Sequence, residues 1–157
     1  MVNIIVTKID SDVADSIIKE ILDAEEDITV WISCSGGEVP AAMGIATALK
    51  MRNADTVGLG YVASSATMIF AAGKNRLVSK YATFLFHNIT EQCSSWRSYK
   101  ELQIAAEGLK IDDSVLERFI TGNTDIPVEK YKELVESGRY IGSEEMVASG
   151  LATGYID

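Results

Sequence analysis

Three short runs rich in β-branched and aromatic residues, NIIVT (3–7), ITVWIS (28–33) and TVGLGY (56–61), are each followed by a helical stretch. This alternation constrains the fold more than any other feature. Such runs suit a pleated, buried surface. After the first, Asp10 or Ser11 can cap a helix through about Ala24, since Val13, Ile17, Ile18, Ile21 and Leu22 fall on one face. After the second, the turn CSGGEVP leads into a helix from about Val39 to Met51, with Ala42, Ile45, Ala46 and Leu49 inward. After the third, ASSATMIFAAG reads as a buried helix ended by Gly73. Strand and helix in strict alternation predict an α/β fold with a mostly parallel central sheet.

Further along, RLVS (76–79) and TFLFH (83–87) are strand-like. A long helical pattern then runs from Ser94 to Thr121, where Gly122 can stop it. Pro127 suits the first turn of a helix to about Glu136, and Ser143 is placed to cap a short helix ended at Gly150. No linker, repeat or low-complexity tract interrupts the 157 residues, which suits one domain spanning 1–157. The eighteen residues from Thr56 to Gly73 carry no charge, near the length of a membrane span, but glycines and hydroxyls break the run. Strand, turn and buried helix account for it better. A net charge of −9 excludes nucleic acid and anionic membrane as main partners. Cys34 and Cys93 show no CxxC spacing, so neither a disulfide framework nor a metal site is expected. The opening MVNIIVTKIDSDV has no basic leader, which points to the cytoplasm.

Three features bear chemistry. Ser35-Gly36-Gly37 follows a strand; consecutive glycines let backbone N–H groups approach a substrate, and equally make a tight strand-to-helix turn. Ser64-Ser65 stands between a strand and a buried helix. A serine there is either a nucleophile served by the next amide or simply a helix cap. His87 is the only histidine and ends an apolar strand. A serine hydroxyl needs an adjacent base, and imidazole titrates in the right range, although a strand-end histidine can also be structural.

Taken in order, WISCSGGEVPAAMGIATALK, GYVASSATMIFAAGKNRLV, YATFLFHNI and SEEMVASGLATGYID resemble the Clp protease proteolytic subunit family of serine peptidases. The family pattern is a Ser-Pro-Gly-Gly turn, Gly-x-Ala-Ala-Ser-Met-Gly, Met-Ile-His-Gln-Pro and a late Ser-Ala-x-Glu helix. The resemblance implies a ClpP/crotonase-like fold of repeated β-α units, with a mostly parallel sheet and a protruding handle helix at 94–121. It places Ser64 as nucleophile, His87 as base, and the Gly37 and Ser65 amides in the oxyanion hole, with no metal or cofactor. It implies a serine endopeptidase that hydrolyses short or unfolded polypeptides inside an oligomeric chamber of stacked rings. An ATP-driven unfoldase is the further partner it suggests. The wide apolar spread Trp96, Tyr99, Leu102, Ile104, Leu109, Ile111, Val115 and Phe119 also favours an oligomer.

The sequence departs from the pattern in places. The family's third catalytic residue, an Asp two positions before an aromatic, falls on Gly138, two before Tyr140. Glu136 is the nearby carboxylate; without it the site is a Ser–His dyad whose ring is oriented by water or a backbone carbonyl. Ser35 replaces a proline and Ala66 a glycine. The chain starts at the family's first core strand, so the pore-lining segment is expected to be missing and unfoldase docking is left open; a compact phage or prophage member would look like this. Two other readings stand beside the peptidase: a weak or inactive subunit assembling with active homologues, and a crotonase-like acyl-CoA enzyme.

Overall fold

The computed structural model describes residues 1–156. The chain opens with β1 (Val2–Val6), α1 (Ser11–Asp23), β2 (Ile28–Cys34), α2 (Val39–Arg52), β3 (Asp55–Ala63) and α3 (Ala66–Ala71). Asp10 starts α1 by accepting the Val13 N–H at 2.9 Å, and the face it turns inward buries Ala14, Ile17 and Ile21. Leu22, expected on that face, is instead exposed. All four inward positions of α2 are fully buried, and every residue of α3 is buried. That burial explains the uncharged run, which is most of β3, the serine turn and α3. Among the described residues no helix is long and apolar enough to cross a membrane.

The second half adds β4 (Arg76–Val78), β5 (Thr83–Leu85), α4 (Tyr99–Asn123), α5 (Val128–Ser137), β6 (Tyr140–Gly142), α6 (Ser143–Ala148) and β7 (Gly154–Tyr155). Strands β1-β2-β3-β4-β7 form one parallel sheet in that order. β3 is long enough to serve two neighbours on one edge. Its residues Thr56, Val57 and Gly58 pair with β4, and Tyr61, Val62 and Ala63 pair with β5, again in parallel. β6 closes onto β5 antiparallel. The mostly parallel α/β fold expected from the alternation is therefore present.

Element ends differ from the sequence reading where local hydrogen bonds decide. α4 begins at Tyr99, not Ser94, because Ser98 and Glu101 form a reciprocal capping box. Trp96 lies ahead of the helix and is fully exposed. Gly122 does not stop α4, which continues to Asn123 while Asn123 Nδ2 donates to Phe119 O at 2.7 Å. Ser143 is the first residue of α6 rather than its cap; its hydroxyl donates to Lys80 O at 3.0 Å.

Candidate active site

Register brings the three chemical features together. β2, β3 and β5 are parallel, and Cys34 pairs with Val62 while Ala63 pairs with Leu85. The residues that follow, the Gly-Gly turn, Ser64 and His87, therefore leave the sheet at its carboxyl edge, the usual ligand side of a parallel sheet. Ser64 sits at φ 55°, in the left-handed region that a side chain rarely occupies. Its N–H donates to Leu85 O at 3.0 Å, which ties it to the strand that leads to His87. A serine held in such a turn between strand and helix exposes its hydroxyl. Neither serine caps α3 with its side chain: Ser65 holds the cap position without a side-chain cap bond.

The glycine turn is pressed against Ser64. Gly36 has φ 106°, and a Cβ there would lie 2.7 Å from Ser64 Cβ. A Cβ on Gly37 would lie 2.0 Å from Ile9 O, so no larger residue fits. The buried Ser65 hydroxyl donates to Gly37 O at 3.1 Å and locks the two turns together. Among the described residues, neither the Gly37 N–H nor the Ser65 N–H has a hydrogen-bond acceptor. Unpaired amides beside a serine hydroxyl are what an oxyanion requires.

Ser64 and His87 line one cleft of about 650 Å³ with Ser35, Gly37, Pro40 and Ile89. They are not hydrogen-bonded to each other among the described residues. Glu38, Glu91 and Asp112 also line the cleft, and no lysine or arginine does. The half-buried His87 ring places Nδ1 2.6 Å from Asn88 O. A carbonyl only accepts, so Nδ1 carries a proton, and in the neutral ring Nε2 then keeps its lone pair, the tautomer a general base needs.

On its other side His87 faces a second cavity of about 300 Å³, lined by Asp113 and Glu117 of α4 and by Tyr131 and Glu136 of α5. Burial, and then the negative charges of Glu117 and Asp113, push the Tyr131 phenol well above its ordinary range, so it stays protonated. Glu136 reaches this cavity but makes no hydrogen bond to the ring. Gly138 is the exposed left-handed cap of α5 at φ 55° and brings no side chain to the histidine. Asp113, which accepts the Ile89 N–H beside the histidine at 2.8 Å, is a residue that sequence reasoning did not single out. It stands 26 residues from His87 inside an ordinary amphipathic helix, with no local pattern to mark it.

The family model for Clp protease matches residues 2–157. Over 136 residues the chain is 29% identical to the ATP-dependent Clp protease proteolytic subunit 4 of Streptomyces avermitilis, covering 84% of the chain and 60% of that protein. It is 26% identical over 159 residues to the ATP-dependent Clp protease proteolytic subunit of Streptococcus agalactiae, covering 96% of the chain and 79% of that protein. A chloroplastic ATP-dependent Clp protease proteolytic subunit 4 of Arabidopsis thaliana is 28% identical, with 96% and 54% covered. The chain thus spans about three fifths of the Streptomyces relative. A match running from the first strand to the last residue, on a parallel sheet whose carboxyl edge carries the serine turn and the histidine, has one consequence: the chain belongs to the Clp protease family.

Proposed function

We propose that this protein is a ClpP-type serine endopeptidase. The observation that carries the reading is the left-handed Ser64, pinned to β5, flanked by two unpaired amides and sharing a cleft with the Nδ1-protonated His87. Ser64 Oγ attacks a peptide carbonyl while His87 Nε2 takes its proton. The Gly37 and Ser65 amides hold the oxyanion. His87 then gives the proton to the departing amine, the C–N bond breaks, and the acyl group rests on Ser64 until water, deprotonated by the same ring, releases it. Substrates are short or unfolded polypeptides, which reach the site as extended chains in a chamber built from copies of this chain in stacked rings. The active form is cytoplasmic, which suits the two free thiols, and an ATP-driven unfoldase is its natural supplier.

The test is hydrolysis of a fluorogenic peptide and of an unfolded polypeptide by the assembled protein. Ser64→Ala is expected to lower turnover by about 10³-fold or more, and His87→Ala comparably. Turnover unchanged in Ser64→Ala would overturn the proposal. Gly138 and the missing Ser64–His87 hydrogen bond favour one second reading, a subunit of low activity that assembles with active homologues. Wild-type protein that joins mixed rings yet hydrolyses nothing would select it. The acyl-CoA reading loses its support because the matched family is Clp protease.

A further inference from the structure

We propose that Asp113, on α4, is the positioning carboxylate of the histidine, acting through the Ile89 N–H and the Asn88 side chain; among the described residues no carboxylate is hydrogen-bonded to the ring itself. This rests on the peptidase reading. The His87 ring is held by the Asn88 carbonyl at 2.6 Å. A carbonyl in a polar loop orients a ring only as well as the loop is fixed. Asp113 fixes it with both oxygens: Oδ1 accepts the Ile89 N–H at 2.8 Å, and Oδ2 accepts the Asn88 side-chain amide at 3.1 Å. Hydrogen bonds to an ionised carboxylate are shorter and stronger than neutral ones. One residue on α4 thus holds the Asn88–Ile89 peptide, which selects the tautomer, by its N–H and by the Asn88 side chain.

Among the described residues no other charge near the ring has this geometry. On α4, Glu117 is paired with Lys132 at 3.8 Å, Lys110 lines the cavity without a hydrogen bond to the loop, and Asp112 faces the cleft on the Ser64 side. From α5, Glu136 contributes no hydrogen bond to the loop. Glu38 and Glu91 also line the cleft, the latter occupied by Arg97 at 2.7 Å.

Because His87 is the only histidine, its ring nitrogens can be read directly by ¹⁵N NMR in the full-length protein. The wild type is expected to show the Nδ1–H tautomer. Asp113→Ala should give a mixture of tautomers and slow fluorophosphonate labelling of Ser64 about 10- to 100-fold, as loss of an outer-shell partner does. Peptide kcat should fall with it while KM moves less than about twofold, since the clamp does not touch substrate. The near-isosteric Asp113→Asn keeps an acceptor for the Ile89 amide but loses the charge and the bond from Asn88, so it should recover part of the loss, which separates positioning from misfolding. Wild-type tautomer and labelling rate in Asp113→Ala would overturn the proposal. A wild type that never labels, with a tautomer that still shifts in Asp113→Ala, would sink the peptidase reading and leave the clamp standing.

Discussion

Ser64 carries the cost of its own exposure. A non-glycine residue at φ 55° costs of the order of 1 kcal/mol, and here the N–H bond to Leu85 O and the packing of Gly36 hold it in place. Ser64→Gly should therefore be more stable than Ser64→Ala by about 1 kcal/mol in urea unfolding, with both inactive. Equal stabilities would mean that the turn is relaxed. Ser65→Ala leaves Gly37 O without its donor and should cost about 1 kcal/mol while slowing labelling of Ser64, because the two turns are no longer tied. The residues that meet at the cleft were partly legible in the sequence. A serine between strand and buried helix, two glycines and one histidine are conspicuous because few residue types serve those roles. Asp113 was hidden, since its role depends on α4 crossing the loop after β5, and that is a tertiary fact. The Asn88 carbonyl was foreseen only as a type of partner, because a backbone group has no side-chain identity to read.

At the scale of elements, apolar periodicity placed the strands and helices, and hydrogen bonds set their ends. α4 illustrates the limit: its apolar pattern extends back to Trp96, but the Ser98–Glu101 box, itself spelled in the sequence, starts the helix later. The corner formed by α5, β6 and α6 is held by charge instead. Arg139 donates to Glu145 at 2.6 and 2.7 Å and Lys130 lies 2.9 Å from the same carboxylate. Arg139 first, and Lys130 second, hold the Glu145 carboxyl down at about 2. A carboxyl lowered on folding stabilises the fold above its unfolded value, about 4.3, and the contribution disappears as pH falls from there through about 2. Urea midpoints should accordingly drop between pH 6 and pH 3, and Glu145→Gln should flatten that drop while lowering the midpoint at pH 6. An unchanged pH dependence in Glu145→Gln would show that the corner does not use this network.

For the whole molecule, the parallel sheet gathers three loops at one edge, and α4 lies across them with an apolar outer face. Leu102, Ile104 and Ile111 are each more than half exposed, and Ile104 and Ile111, seven residues apart, share a side. The proposed ring assembly buries this face. The paired change Ile104→Glu with Ile111→Glu is expected to shift sedimentation from a large species to small ones, and an unaltered profile would place the contact elsewhere. Fold class and sheet direction were legible because alternation of strand and helix leaves few topologies, whereas assembly depends on surfaces that a single chain does not fill. The central claim is that folding turns the hydroxyl of Ser64 into a nucleophile served by His87. Its most direct test is intact-mass and peptide-mapping analysis of the protein treated with a fluorophosphonate. One adduct per chain on Ser64, slowed about 100-fold or more in His87→Ala, is the expected result; no adduct, or an adduct on Ser65, contradicts the account.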